Sequence, residues 1–364
     1  MKSFRVHVAD DVLDDLRLRL RRTRWPDQIP GIGWKQGTEL DWLQRRVSYW
    51  ADEFDWRVWE RRLNLLNHFI WEGIHFVYQR AASSRGVPLI LTHGWPSSFL
   101  DYVDMLPMLK DFDVVVPSLP GYGFSPRPPQ VGINYRYVSD RWHQLMSELG
   151  YSRYCAGGYD FGAGVTTILA LDHPQSVIGI YLTTLESDLT PLVEEAELSD
   201  VERSYLAVSR QWEGTERGYS AIQSTKPQTV GYGLNDSPAG LAAYVGEKWR
   251  SWSDVTPPDD FLCATLTLYW VTQTVTSSMR DYWDNRWHPV DRAYVSTPTA
   301  FGVFAQQTVP EGEPPRSYLE RVYNIQRWTV FPRGGHFAPV EQPAAFAEDL
   351  AAYFHDRLEG HADR

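Results

Sequence analysis

Cysteine is nearly missing from this 364-residue chain, with Cys155 and Cys263 the only two. A single pair builds no disulfide framework, and neither residue lies in a metal-ligand spacing. No run of about 18 apolar residues occurs, and the N-terminal MKSFRVHVADD has no apolar core, so neither a membrane anchor nor a signal peptide is expected. Basic charge is also short: 35 Lys and Arg stand against 46 Asp and Glu, a formal −11 at pH 7. Phosphate binding needs a basic face, so a nucleic-acid partner is excluded. There is no internal repeat and no low-complexity segment. A soluble cytoplasmic protein needing no metal or cofactor is the expectation left standing.

Aromatics, by contrast, are plentiful, with 16 Trp and 20 Tyr. Such numbers point either to deep aromatic packing or to an aromatic-lined pocket. The length exceeds what one simple core usually needs, so a main domain carrying an insertion is expected. Residues 1–75 read as helical. Val12 to Arg22 has helical spacing, and a second amphipathic stretch, Leu40 to Leu66, carries Trp42, Trp50, Trp56 and Trp59. Those tryptophans pack either on the chain's own core or on a second copy's, which leaves a homodimer open.

From Ile74 onward, short apolar β-rich runs alternate with helical segments. The runs are Ile74 to Tyr78, Val87 to Leu91, Val114 to Val116, Cys155 to Gly157 and Ile178 to Leu182. Continuously apolar strands alternating with helices imply an α/β fold with a mostly parallel central sheet covered on both faces. A helical block follows, then two more strand-like runs, Thr299 to Phe304 and Trp328 to Phe331, and a last helix from Ala344 to Leu358. The expected division is a helical N-terminal region (1–75), a first core part (76–190), a helical lid (191–292) and a second core part (293–364).

Three motifs carry chemistry. Gly158-Tyr159-Asp160-Phe161-Gly162 follows a short strand and precedes a helix. That is the shape of a nucleophile elbow, with aspartate where serine is more familiar. Taken alone, the stretch is equally well an Asp N-cap on a glycine-rich turn. Upstream, Leu89 to Thr92 runs into His93-Gly94-Trp95-Pro96. A loop of that kind supplies one oxyanion-hole amide, from Trp95, and the residue after the nucleophile, Phe161, supplies the other. Downstream, Arg333-Gly334-Gly335-His336-Phe337 puts a histidine on a glycine loop after the last strand, where a general base belongs.

With these motifs in order, the chain resembles the microsomal-type epoxide hydrolases of the α/β-hydrolase superfamily, nearly end to end. Thr23-Arg24-Trp25-Pro26-Asp27, Leu65-Leu66-Asn67-His68-Phe69, Gly73-Ile74-His75-Phe76, Leu234-Asn235-Asp236-Ser237-Pro238-Ala239-Gly240-Leu241 and Glu247-Lys248-Trp249 are similar to that family's signatures. The resemblance implies an α/β-hydrolase fold with a helical lid insertion and a helical N-terminal extension. It also implies Asp160 as nucleophile, His336 as base, and Tyr219 and Tyr282 as the lid acids. The implied reaction opens an epoxide through an alkyl–enzyme ester, which water then releases as a vicinal diol. A serine there would leave an ether that water does not readily cleave, whereas aspartate leaves an ester.

One position departs from the pattern. The family's Glu or Asp that orients the histidine falls on Gln307. An amide accepts a hydrogen bond from an imidazole but supplies no charge to steady the imidazolium. Either no acid contacts His336, or Glu311 or Glu313 does, or Glu186 or Asp188 does from the preceding strand end. The leading expectation is a hydrolase of a bulky or apolar epoxide. The alternatives are an epoxide-opening or cyclising enzyme of secondary metabolism with an altered second step, and a non-hydrolytic ligand-binding homologue.

Overall fold

The computed structural model describes residues 1–82, 86–186, 193–291 and 293–362. Its centre is a nine-stranded sheet: β1 (Lys2–Phe4), β2 (His68–Trp71), β3 (Ile74–Gln79), β4 (Val87–Thr92), β5 (Phe112–Pro117), β6 (Tyr154–Gly158), β7 (Val177–Leu182), β8 (Val295–Phe304) and β9 (Tyr323–Phe331). The strand order is β1-β2-β3-β5-β4-β6-β7-β8-β9. From β5 through β9 every pairing is parallel, while β1, β2 and β3 add an antiparallel edge. Every residue of β5, β6 and β7 is buried, as parallel strands covered on both faces require.

Helices α1 (Asp10–Arg21), α2 (Leu40–Asp52) and α3 (Trp56–Leu63) occupy the N-terminal region. The stretch read as one amphipathic segment from Leu40 to Leu66 is therefore two helices. Asp55 caps the second by accepting from Arg57 N at 2.9 Å. The region also contributes β1 and β2, which helical periodicity does not reveal. Trp42, Trp50, Trp56 and Trp59 are buried within this chain: Trp50 Nε1 donates to Thr267 Oγ1 at 2.8 Å, and Trp59 Nε1 to Asp260 Oδ2 at 2.7 Å. No second copy is needed to cover them.

Helices α4 (Tyr135–Glu148) and α5 (Phe161–Asp172) flank β6 in the chain. Between β7 and β8 lie α6 (Asp200–Glu216), α7 (Gly218–Gln223), α8 (Pro227–Asp236), α9 (Pro238–Trp252), α10 (Asp259–Thr272) and α11 (Val275–Trp287). The short α12 (Arg316–Leu319) precedes β9, and α13 (Ala338–Glu341) and α14 (Pro343–Ala362) end the chain. The α6–α11 block stands over the loops that follow β4 and β6. Trp249 Nε1 donates to Pro96 O at 3.1 Å and the Tyr269 hydroxyl to Ser97 O at 2.9 Å. Loops after the carboxyl ends of parallel strands are where open α/β sheets place ligands. Among the described residues, no helix is long and apolar enough to cross a membrane.

Candidate active site

The turn between β6 and α5 holds Asp160 at φ 52°, ψ −134°. A non-glycine residue there costs about 1–3 kcal/mol and persists only when its surroundings dictate it. They do so here. Asp160 N donates to Thr184 Oγ1 at 2.6 Å, and Gly162 packs so tightly that a Cβ would lie 2.0 Å from Thr92 O. A Cβ on Gly94 would meet Asp160 Oδ1 at 2.2 Å. Glycine at that position lets the upstream loop close on the carboxylate. Trp95 N and Phe161 N each donate to the same oxygen, Oδ1, at 2.7 Å. The other oxygen, Oδ2, stands 3.2 Å from His336 Nε2. The elbow aspartate, both expected oxyanion donors and the late histidine thus form one cluster, although 65 residues separate Trp95 from Asp160.

The His336 loop is fixed from both sides. His336 N donates to Trp252 O at 2.9 Å, and the Glu341 carboxylate accepts from Gly335 N and Phe337 N, each at 3.1 Å. Glu341 also accepts from Asp254 N at 2.6 Å, joining this loop to the segment after α9. The imidazole packs edge-on against Tyr159 and Trp252. Its outer nitrogen, Nδ1, lies 3.4 Å from Gln307 Nε2, while Gln307 Oε1 is buried without a hydrogen-bond partner. Rotating the carboxamide by half a turn puts that oxygen on Nδ1–H and satisfies both groups. The Gln307 side chain is enclosed, since a Cβ on Gly312 would come within 1.9 Å of its carboxamide carbon.

Among the described residues, no carboxylate hydrogen-bonds Nδ1. Glu311 lines the cavity in front of His336, and its buried Oε2 has no hydrogen-bond partner. Burial holds its carboxyl above the ordinary range, against the pull of nearby Arg217. Glu186 also lines the cavity and accepts from the Tyr135 hydroxyl at 2.8 Å. Glu313 is exposed, and Asp188 lies outside the described residues. A further acid, Asp101, is fully buried behind the elbow and accepts from the Tyr159 hydroxyl; burial pushes it up to about 6.

Tyr219, in the first turn of α7, and Tyr282, midway along α11, face the cluster from the inserted block. Their ring centroids are 5.8 Å apart and edge-to-face. Trp95 stacks on Tyr219 at 5.4 Å, and Phe161 meets Tyr282 edge-on at 4.7 Å. The two residues that donate amides to Asp160 therefore also seat the two phenols. Burial raises both phenols well above their usual range. Glu311 and Asp160 add to the rise at Tyr219, and Tyr219 and Asp160 add to it at Tyr282. Both phenols keep their protons at neutral pH.

Asp160, Phe161, Tyr219, Tyr282, Glu311 and His336 line a cavity of about 430 Å³. Its wall also carries Arg217, Arg286, Asn285, Ser220 and Ser224. Among the described residues, no cluster of three or more His, Cys, Asp or Glu side chains could hold a metal ion. Sequence reasoning missed Thr184, Asp101 and Glu341. Each acts by supporting a neighbour, and nothing in its local sequence context marks it out.

Comparison with known proteins gives a consistent result. A family profile described as epoxide hydrolase N terminus matches residues 1–102, and one described as alpha/beta hydrolase fold matches residues 87–219. Over 378 residues the chain is 37% identical to a Stigmatella aurantiaca protein named as a candidate epoxide hydrolase, covering 96% of this chain and 84% of that protein. It is 30% identical to epoxide hydrolase 1 of Sus scrofa, covering 97% and 88% respectively. The solved Aspergillus niger epoxide hydrolase superposes with a TM-score of 0.88 at 29% identity, covering 98% of this chain and 96% of that one.

Proposed function

The chain belongs to the microsomal-type epoxide hydrolases, ether-bond hydrolases of the α/β-hydrolase superfamily, and from that premise we propose that it works through an ester on Asp160. One observation carries the reading: the two oxygens of Asp160 are differentiated. Oδ1 is engaged by two backbone amides, and Oδ2 stands against His336. Oδ2 is the attacking atom. Its lone pair forms a bond to an oxirane carbon as the ring C–O bond breaks. The released oxygen takes a proton from Tyr219 or Tyr282. Oδ1 becomes the ester carbonyl oxygen, already seated between the Trp95 and Phe161 amides.

In the second step His336 Nε2 takes a proton from water, and the resulting hydroxide adds to the ester carbon. The oxyanion forms on Oδ1, where its donors already stand. Collapse expels the diol oxygen, which takes the proton held by the imidazolium; the carboxylic acid left on Asp160 then loses its proton and the tyrosinate regains one, through solvent. The cavity volume suits a bulky epoxide, and Arg217, Arg286 and Asn285 on its wall favour one that carries polar groups as well as apolar ones. A cytoplasmic location remains part of this proposal.

A single turnover in H₂¹⁸O, with enzyme in excess, tests the route. The new diol oxygen comes from Oδ2, so the first diol should be unlabelled and Asp160 should gain the label. Labelled diol in the first turnover would mean direct attack by water and sink the ester.

Gln307 beside Nδ1 favours a second reading, in which ester release is slow or the opened intermediate has another fate, such as cyclisation in a secondary-metabolic pathway. Replacing Gln307 with Glu supplies the missing charge. Ester hydrolysis should rise about tenfold to a hundredfold, by comparison with the roughly 10⁴-fold loss when a serine-protease triad acid becomes an amide. The added carboxylate favours imidazolium, so the acid limb of the hydrolysis rate should move to higher pH. Stopped-flow protein fluorescence with rapid-quench product assay reads both, and an unchanged rate would place the charge elsewhere, with Glu311 next in line.

A further inference from the structure

The sequence signature Glu247-Lys248-Trp249 lies in α9 and has no part in the steps above, yet Lys248 is placed unusually. Its side chain is only 8% exposed, whereas the other four lysines, Lys2, Lys35, Lys110 and Lys226, are exposed. A buried ammonium is costly unless something offsets its lost hydration. Here the offsets are Glu247, whose Oε2 is 2.5 Å from Nζ, and two aromatic rings. Nζ stands 4.5 Å from the ring centroid of Tyr219 and 5.7 Å from that of Trp252. The distance to Tyr219 is well within cation–π range.

Tyr219 is otherwise poorly placed to release a proton. Asp160 and Glu311 both face it with negative or potentially negative charge, which opposes loss of the proton, while Arg217 and a hydrogen bond with Tyr282 favour it. As a phenol gives up its proton, negative charge spreads into the ring, and an ammonium against that ring gains attraction as the charge grows. Taking Tyr219 as a proton donor, as proposed above, we propose that Lys248 is a positioning residue for ring opening. Through the Tyr219 ring it stabilises the phenolate that develops as the proton passes to the oxirane oxygen. Trp252 shares the ammonium and also contacts His336 edge-on at 5.1 Å, so α9 serves both halves of the site.

The test uses Lys248→Met, which keeps an unbranched apolar stem, and Lys248→Arg, which keeps the charge, each in wild type and in Tyr219→Phe. Alkylation and ester hydrolysis are timed separately in single turnovers across pH. The methionine variant should alkylate about tenfold more slowly, the size expected of a desolvated cation–π contact, and arginine should recover most of the loss. In the Tyr219→Phe background the same change should have less than about a twofold effect, because the ring against the ammonium then has no proton to release. Hydrolysis of the ester should keep its rate.

An equal loss in the Tyr219→Phe background or an equal slowing of hydrolysis would overturn the proposal and leave Lys248 a packing residue. Should the methionine variant fail to fold, Lys248→Gln carries the same comparison. Failure of the underlying reading looks different. If Tyr219→Phe alone alkylates as fast as wild type, Tyr219 is not the acid, and the role of Lys248 falls with it. If Tyr219→Phe is slow while Lys248→Met is fast, only the role of Lys248 is lost.

Discussion

Asp160→Asn should cost about 10⁵-fold or more in diol formation while leaving the fold intact, as expected for removing a covalent nucleophile. The amide keeps an oxygen for Trp95 N and Phe161 N, so the positive-φ elbow retains its two anchoring bonds. What it loses is the nucleophilic lone pair on the atom now occupied by NH₂. Stability and activity should therefore separate: the melting temperature stays close to wild type, and intact-mass analysis finds no epoxide adduct. Asp160→Ala makes the contrast. It removes both acceptors, and two buried amides left unpaired cost about 1–3 kcal/mol each, so this variant should lose stability as well as activity. The mass of the Asn variant must be checked after incubation, because His336 beside the amide can hydrolyse it back to aspartate. Diol formation at a tenth of the wild-type rate, by a protein still carrying the amide, would show that Asp160 is an N-cap and not the nucleophile.

The elbow was legible because its geometry restricts which residues fit. A strand must end, turn within two residues and launch a helix, which demands small residues at 158 and 162. The observed approaches of Gly158 and Gly162 to neighbouring backbone explain why they are glycine. The strands of the parallel sheet were legible because burial on both faces forces uninterrupted apolar runs such as Val114-Val115-Val116. By contrast, β1 is three residues at the sheet edge, two of them exposed, and such a strand carries no pattern. The split between α2 and α3 had a signal, Asp55 before Trp56, but the tryptophan spacing on either side overrode it. Tyr219 and Tyr282 emerged only through flanking signatures, since a lone tyrosine in a helical segment reads as packing. Lys248 was legible only as part of the signature Glu247-Lys248-Trp249, which gave it no role. Its partner ring lies 29 residues earlier, on another helix, and only the folded arrangement of α7 and α9 brings the two together.

His336→Gln should separate the two halves of the reaction. In the proposed route a carboxylate oxygen attacks carbon without help from a base, so alkylation should continue. Release should not, because among the described residues no other histidine lines the cavity at this ester. The expected result is a burst of one epoxide consumed per enzyme, then turnover lower by about 10⁴-fold, the usual scale for losing a general base. The protein should gain the full mass of the epoxide, since ring opening expels nothing, and peptide mapping should place the adduct on Asp160. Hydroxylamine should remove it, as it does an ester and not an ether. The same measurement on the unaltered enzyme bears on Gln307. At saturating epoxide, the fraction of enzyme held as ester is the alkylation rate divided by the sum of the alkylation and hydrolysis rates. An amide at Nδ1 weakens only the second of these, so adduct should accumulate on the wild-type protein during steady turnover and diminish in Gln307→Glu. If the His336→Gln protein instead turns over steadily and never acquires the adduct mass, water attacks the epoxide directly, and Asp160 would have to act by activating that water.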